Sequence, residues 1–345
     1  MSHTPILKTP VTVGIVGLGR AGWGLHLQPI RNIDGFQIVA VADPLPERGK
    51  EAAELTGCST FTTLDELLAG SDAQLVIIAT PSFSHYEDVC KVLNAGRHCI
   101  VEKPLALTTE EANALVALAQ EKGLKLFVHH IHLHGAQFYH LKGIIDSGKL
   151  GKLFSIRTSW GNYARRWDWQ ALKKNGGGQL NNTCSHVLSV VLPLLGAPAE
   201  VAFADLRNIK DAGDAEDHTH VVLRTATGVT ADVLVTSAMA LSGPRWILCG
   251  SLGTLVSDGK TSKVKYYDGT KVESLSVLDE AAPGRKYLTE TLPWEEEELT
   301  VEPAPVEPFH QNVLSVLTKG AEPIVTPESA AEIVRVIEMI NKMAL

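Results

Sequence analysis

The sequence predicts an α/β protein with two domains: a doubly wound parallel sheet of the Rossmann type, then an α+β domain with a mostly antiparallel sheet. Three observations predict this fold class. Up to about residue 133, short β-branched runs alternate with longer segments of helical period, as in a parallel sheet covered by helices. After that point, strand-like runs follow one another through polar turns. The length of 345 residues also exceeds what one hydrophobic core usually serves.

The first half of the chain alternates strands and helices. The predicted strands are Val11–Val16, Phe36–Ala42, Leu75–Thr80, His98–Glu102 and Leu124–Val128. The predicted helices are Glu47–Thr56, Ser84–Ala95 and Thr109–Glu121. Thr108 followed by Glu111 forms a capping pattern for the last of these helices. The repeated strand and helix order implies right-handed crossovers.

The second half begins after a linking helix at Gln137–Ser147. Its predicted strands are Leu153–Trp160, Val201–Arg207, Thr219–Arg224, Val229–Thr236 and Trp246–Cys249. One helix interrupts them at Gly178–Leu195, and residues 308–345 return to helical period in two pieces. We expect domains at residues 1–133 and 134–307, with the terminal helices packing back near the first. The acidic run from Trp294 to Glu298 is predicted to be a solvated loop.

Charge and composition exclude several classes of protein. A net charge of -8 and a pI near 5.9 disfavour nucleic acid as a partner, because binding a phosphate backbone requires clustered Lys and Arg. Residues 1–10 lack the apolar core of a signal peptide, and no stretch is long and apolar enough to span a membrane. We therefore expect a cytoplasmic location. The 5 cysteines include no Cys-x-x-Cys pair, which favours reduced thiols and no structural zinc.

A glycine-rich turn follows the first predicted strand. Gly17, Gly19 and Gly22 stand in the Gly-x-Gly-x-x-Gly spacing, and helix-forming residues come next. The first glycine permits the tight turn, the second lets a pyrophosphate approach the backbone, and the third allows close helix packing. The residues expected to contribute through their main chain are Leu18, Arg20 and Ala21. The turn therefore predicts a dinucleotide site.

Asp43 ends the second predicted strand, where a carboxylate accepts hydrogen bonds from the ribose hydroxyls of adenosine. The same charge repels a 2'-phosphate, so NAD is predicted rather than NADP. Arg48 lies five residues further on and would soften that preference. The alternative is a glycine turn in some other α/β protein, with Asp43 as a helix cap.

Further motifs accompany the glycine turn. They are Ala79-Thr80-Pro81 with His85, Glu102-Lys103-Pro104 at the end of a predicted strand, and Gly176-Gly177-Gly178 before His186. Together with the glycine turn, these motifs resemble the Gfo/Idh/MocA family, named after glucose-fructose oxidoreductase, inositol dehydrogenase and a rhizopine catabolism protein. The resemblance covers nearly the whole chain.

The resemblance implies a Rossmann domain joined to an open-faced sheet domain, which acts on sugars, inositols or related alcohols with NAD or NADP. It also implies a homodimer or homotetramer formed through the sheet. The residues placed at the cofactor are Thr80, Pro81, His85 and Glu102. Lys103 would lie between cofactor and substrate, with His186 as the principal acid or base. The residues expected to bind substrate are Asn182, His130, Arg165 and Trp169.

Lys103 and His186 suit the oxidation of a secondary alcohol, which removes a hydride from carbon and a proton from oxygen. An imidazole titrates near neutrality, and an ammonium group stabilises a developing alkoxide. The sequence leaves open which of the two accepts the proton. Asn182 lies one helical turn before His186, where family members usually carry Asp. We therefore expect a less basic histidine than Asp would give.

The histidine-rich segment and Asn182 both depart from the family pattern and leave other functions open. If the segment His129–His134 is extended, His130, His132 and His134 lie on one face, where a metal could bind. No acidic partner is evident, so no metal is expected. Some relatives are glycosidases that use tightly held NAD to oxidise a sugar transiently, and this is the alternative enzyme. A dinucleotide-sensing regulator without turnover is the alternative outside catalysis, supported by Asn182.

Overall fold

A computed structural model describes residues 6–280, 284 and 287–344, and the first half of the chain forms one parallel sheet. Its strands are β1 (Val11–Val16), β2 (Phe36–Ala42), β3 (Ser59–Phe61), β4 (Leu75–Ile78), β5 (His98–Val101) and β6 (Leu126–Val128). Their order is β3-β2-β1-β4-β5-β6, so the direction of winding reverses between β1 and β4. Such sheets bind ligands beyond the carboxyl ends of the strands at this point.

Helices cover both faces of this sheet and bury a separate apolar core on each. They are a π-helical segment at Gly22–Leu27 continued by α1 (Gln28–Ile30), then α2 (Pro46–Thr56), α3 (Leu64–Gly70), α4 (His85–Asn94) and α5 (Thr109–Lys122). The sequence did not predict β3 or α3, because both are too short to show a period. Their formation depends on context: β3 pairs along the edge of β2, and a capping box between Thr63 and Glu66 starts α3.

The second half forms an eight-stranded sheet, and the predicted fold class is confirmed. Its strands are β7 (Leu153–Gly161), β8 (Ala199–Arg207), β9 (His218–Thr225), β10 (Thr230–Thr236), β11 (Trp246–Gly250), β12 (Gly253–Ser257), β13 (Thr261–Tyr266) and β14 (Glu295–Thr300). Their order is β14-β13-β12-β11-β7-β10-β9-β8. All neighbours are antiparallel except β7 and β10, which are parallel.

The predicted solvated loop at 294–298 is wrong, because Glu295–Thr300 forms the edge strand β14. Its carboxylates face lysines across the strand pair: Lys263 Nζ lies 2.9 Å from Glu298, and Lys265 Nζ lies 2.6 Å from Glu296. Opposite charges in register favour pairing, and at the edge of the sheet Glu295, Glu296 and Glu298 stay exposed. A charge run is therefore compatible with a strand here.

Four α-helices and a π-helical segment accompany these strands within the described residues. They are α6 (Ala136–Asp146), a π-helical segment at Leu180–Cys184 continued by α7 (Ser185–Leu195), α8 (Phe309–Lys319) and α9 (Pro327–Ala344). α7 packs its apolar face on the second sheet, α8 packs on the first sheet, and α9 contributes to the cores of both halves. None of the helices among the described residues combines the length and apolar composition needed to cross a bilayer.

The capping pattern before α5 is confirmed, since the Thr108 hydroxyl accepts a hydrogen bond from Glu111 N at 3.2 Å. We expect Thr108→Ala to lower the free energy of unfolding by about 1 kcal/mol, because an orphan helix N–H group loses its acceptor. Thr108→Ser keeps the hydroxyl and is the matched control. Urea unfolding followed by circular dichroism measures both, and equal stabilities would show that the cap contributes nothing.

Candidate active site

A cleft of about 1030 Å³ lies beyond the carboxyl ends of the strands of the first sheet and reaches the start of α7. The predicted residues that line it from the first half are Gly17, Gly19, Arg20, Ala21, Asp43, Thr80, Pro81, His85, Glu102 and Lys103. Those from the second half are Trp169, Asn182 and His186. Both π-helical segments border this cleft, and such segments, which carry one extra residue per turn, often mark functional sites.

The glycine turn has the shape that a dinucleotide requires. Gly17 has a φ of +86°, and a Cβ atom there would lie 2.7 Å from Ala79 O. A Cβ at Gly22 would collide with Gly17 O. At Gly19, by contrast, none of the described atoms lies within 4 Å of a Cβ position, so the space above it is open. A pyrophosphate can therefore approach the backbone at Gly19, beside the start of the helix.

Asp43 is buried at the end of β2, where it fixes the glycine turn. Its Oδ2 accepts a hydrogen bond from Leu18 N at 2.7 Å, and its Oδ1 accepts one from Leu45 N at 2.9 Å. Arg48 Nη1 lies 3.3 Å from Oδ2. The carboxylate is thus placed for ribose hydroxyls, with a cation beside it. Leu18 itself is buried and contributes through its main-chain N–H.

Lys103 and Asn182 form a direct contact between the two halves of the chain. Lys103 Nζ donates to Asn182 O at 2.7 Å and to Asn182 Oδ1 at 3.0 Å. Burial lowers the pKa of Lys103 to about 8, with Arg20 and Arg166 adding to that effect while Glu102 opposes it. A lysine with this pKa exchanges a proton near neutral pH.

His186 lines the same cleft as Lys103, but its side chain is uncharged at neutral pH. Burial lowers its pKa to about 2, with smaller effects from Lys103, His132 and His130. Its Nδ1 is buried and has no hydrogen-bond partner among the described residues. The imidazole is therefore neutral, and because His186 lines the cleft, its ring can contact a substrate hydroxyl there.

The segment after β6 is not extended. Ile131–His134 forms a 3₁₀ turn, so the expected alternation of His130, His132 and His134 on one face is wrong. The ring of His132 packs edge-on against His186 at 4.9 Å between centroids. His130 is buried behind His186 and is absent from the cleft wall, and Arg165 is exposed outside it. Arg166, its neighbour, lines the cleft instead.

His85 braces two of the predicted motifs. Its Nδ1 lies 2.7 Å from Pro104 O and its Nε2 lies 3.0 Å from Thr80 O. Both ring nitrogens are therefore engaged by the backbone. This ring joins the loop after β4 to the segment after β5, so that Thr80 and Lys103 keep a fixed separation.

A buried cluster around Glu102 was not predicted from sequence. Glu102 Oε1 lies 2.8 Å from His129 Nδ1 and 3.0 Å from His26 Nε2, and His26 Nδ1 lies 3.0 Å from His310 Nε2. Burial raises the pKa of Glu102, but the bonds from His129 and His26 outweigh it, so the pKa falls well below its ordinary value. The four residues come from four separate segments. The one feature close to a sequence motif that could have indicated this cluster is His26, four positions after Gly22.

Comparison with known proteins identifies both halves. Residues 11–130 match a family described as "Oxidoreductase family, NAD-binding Rossmann fold", and residues 138–256 match the GFO/IDH/MocA C-terminal domain. A scyllo-inositol 2-dehydrogenase (NADP(+)) of Bacillus subtilis is 27% identical over 72% of this chain and 69% of its own. A 2,7-anhydro-N-acetylneuraminate hydratase of Mediterraneibacter gnavus is 31% identical over 59% of this chain and 55% of its own. The crystal structure of an NAD-binding protein from Listeria innocua superposes with a TM-score of 0.82 at 25% identity, covering 97% of this chain and 95% of that one.

Proposed function

The chain belongs to the Gfo/Idh/MocA family of NAD(P)-binding oxidoreductases, and we propose that it oxidises or reduces a secondary alcohol of a sugar, an inositol or a sugar-derived compound with NAD. One observation carries the proposal: Lys103, with its lowered pKa, lies in the cleft beside Asn182 and His186. This set can bind a hydroxyl group and remove its proton. The relative named as an inositol dehydrogenase supports the substrate class.

The dinucleotide would lie along the cleft from Asp43 to Lys103. Asp43 would hold the adenosine ribose, and Gly19 with the main chain of Arg20 and Ala21 would hold the pyrophosphate. Thr80 and Pro81 would border the nicotinamide, whose C4 supplies or accepts the hydride when the cofactor is bound. The residues of the chain then have to bind, orient and deprotonate the alcohol.

Lys103 is the proton acceptor in this proposal. Its pKa of about 8 leaves a useful uncharged fraction near neutrality, whereas a proton on His186, with a pKa of about 2, would be lost at once. His186 would instead hold the hydroxyl through its neutral ring. Asn182 Oδ1 would keep Lys103 Nζ directed at the substrate oxygen. Trp169, which also lines the cleft, would cover a sugar face.

We expect the kcat/KM for alcohol oxidation to rise with pH and level off above about 8, because only uncharged Lys103 accepts a proton. The reduction direction needs the charged form, so its rate should fall through the same value. Initial rates across about two units on either side of that value measure both limbs. A profile that is flat in both directions would exclude Lys103 as the acid and base.

Asp43 should decide the cofactor preference. Asp43→Ser removes the charge that repels a 2'-phosphate and frees Arg48 from its 3.3 Å contact. We expect the ratio of kcat/KM for NADP to that for NAD to rise by about 10-fold, or about 1.4 kcal/mol. Adding Arg48→Ala should remove most of the gain. An unchanged ratio in Asp43→Ser would mean that the ribose lies elsewhere.

A redox-neutral reaction on a sugar is the second candidate. The relative named as a hydratase favours it, because adding or removing water gives no net change in oxidation state. Transient oxidation by a retained NAD would use the same Lys103 and His186. The chain can be tested with NAD and NADP against inositols, aldoses, sugar acids and aryl glycosides, following NADH absorbance and aryl release together. NADH formation that His186→Ala abolishes supports the dehydrogenase, and aryl release without net NADH supports the redox-neutral enzyme.

We also propose that the second sheet mediates a homodimer or homotetramer. On the face opposite α7, Phe203 pairs with Val222 and Ile247 pairs with Val256, and both apolar pairs are partly exposed. The ion pair of Arg157 and Asp232 lies between them on the two central strands. Exposed apolar pairs around a central ion pair suit a contact with another subunit. Light scattering that gives a monomer mass would contradict this.

The 5 free cysteines fit a reducing compartment, and we propose a cytoplasmic location.

A further inference from the structure

The buried cluster around Glu102 connects the active-site cleft to a second cavity. Glu102 and His129 line the cleft, whereas His310 and His129 line a cavity of about 470 Å³ that adjoins the cleft at Leu25, His129 and Ile131. His26 lies between Glu102 and His310, fully buried, with each ring nitrogen 3.0 Å from one of them. The chain of contacts from Glu102 through His26 to His310 is therefore unbroken.

The outer end of this chain can exchange protons with water. His310 Nδ1 has no hydrogen-bond partner within the described residues, yet it is not among the fully buried polar atoms, and its residue lines the second cavity. At the inner end, Glu102 Oε2 accepts a hydrogen bond from Lys103 N at 3.3 Å, and Glu102 is one of the residues that line the cleft. The two ends of the chain of contacts therefore lie at two cavities.

We propose that Glu102, His26 and His310 form a proton relay that links the active-site cleft to solvent in the second cavity. The inference rests on the proposed function, because oxidation of an alcohol leaves a proton on Lys103 in a cleft that substrate and cofactor cover. Both Lys103 and Glu102 line that cleft, where a water molecule between them would carry the proton from one to the other. The proton then leaves through the second cavity.

The transfer conserves protons and charge at each step. The outward transfer starts with the protons of His26 and His310 on Nδ1, so that His26 Nε2 is free to accept. Glu102 takes a proton from the cleft and passes it to His26 Nε2, while His26 Nδ1 passes its own proton to His310 Nε2 and His310 Nδ1 releases a proton to the second cavity. The cluster ends with Glu102 ionised, both rings neutral and their protons on Nε2, the state in which His26 donates to Glu102. The reverse sequence from that state delivers a proton for reduction, and a second oxidation requires each ring to return its proton to Nδ1 first.

The ligand atoms of His26, His129 and His310 lie within 4.8 Å of one another, so a metal ion held there would occupy the nitrogens that the relay uses. In the structure His26 Nδ1 and His310 Nε2 lie 3.0 Å apart, which is a hydrogen-bond distance. The relay uses this direct contact. His129 supplies a second donor to Glu102 Oε1 and holds the carboxylate in line.

Hydrogen exchange at His26 tests the relay without any substrate. In the ¹⁵N-histidine-labelled full chain, the ring N–H of His26 should exchange with water quickly despite its complete burial, because the relay connects it to the second cavity. His310→Gln keeps a side-chain acceptor but cannot pass a proton, and it should slow this exchange by about 10-fold or more. His134→Gln, which alters another histidine of the same cavity outside the chain of contacts, is the matched control. Equal exchange in wild type and His310→Gln would overturn the proposal.

Turnover then shows whether the relay serves the reaction. With a substrate found by the panel above, His310→Gln should lower kcat by about 10-fold with KM unchanged, and added imidazole should restore it by replacing the lost ring. A loss of kcat that imidazole does not restore at any concentration would overturn a role in turnover. A wild type that turns over no compound would refute the proposed function alone, because the exchange result stands independently.

Discussion

Lys103→Met should lower kcat for alcohol oxidation by about 1,000-fold while leaving the affinity for NAD nearly unchanged. Methionine fills similar space but cannot accept a proton, so the alcohol would have to lose its proton to water or to His186. The latter is a poor acceptor, because its pKa lies near 2. Stopped-flow measurement of NADH formation and fluorescence titration of NADH would separate the chemical step from cofactor binding.

Lys103→Arg is the control that separates charge from proton transfer. Arginine keeps the positive charge and can still donate to Asn182 Oδ1, yet it does not deprotonate in proteins. If Lys103 acts as a base, both variants should be equally slow and both should lose the pH dependence near 8. An arginine variant with most of the wild-type rate would show that the residue acts only by stabilising the alkoxide.

The contact between Asn182 and Lys103 accounts for how the site could work without an acidic residue at position 182. A carboxylate would hold Lys103 as an ammonium ion and raise its pKa, whereas the amide oxygen at 3.0 Å accepts a hydrogen bond without a full charge. Burial can then lower the pKa of Lys103 to about 8. We therefore propose that Asn182 belongs to an active arrangement, and the relative named as a dehydrogenase favours an enzyme over a regulator without turnover.

Local patterns were sufficient to predict the residues that we propose bind the cofactor. The glycine turn and Asp43 lie next to strands whose buried apolar runs are visible in the sequence, and each would act through a backbone conformation or a charge at a strand end. The residues that we propose transfer protons form distant pairs. Lys103 meets Asn182 across 79 positions and His26 meets His310 across 284, so only tertiary packing brings them together. The edge strand β14 was missed for the same reason, since its lysine partners lie on β13.

Gly19→Ala should weaken NAD binding on the order of 100-fold, or about 2.7 kcal/mol, without changing the stability of the free protein. Gly19 does not have a positive φ, and no described atom lies within 4 Å of its Cβ position, so alanine is tolerated by the fold itself. The methyl group would instead occupy the space that the pyrophosphate needs above the backbone. Isothermal titration with NADH and thermal unfolding of the free protein measure the two effects separately.

Substitutions at two other glycines serve as controls for this prediction. Gly143→Ala, in α6, also meets open space but lies outside the cleft, and it should leave NAD affinity unchanged. Gly22→Ala places a methyl group against Gly17 O and should lower the stability of the free protein as well as the affinity, because the turn itself must move. If Gly19→Ala bound NADH as tightly as Gly143→Ala does, the open space at Gly19 could not be the pyrophosphate site, and the path of the cofactor from Asp43 to Lys103 would be wrong.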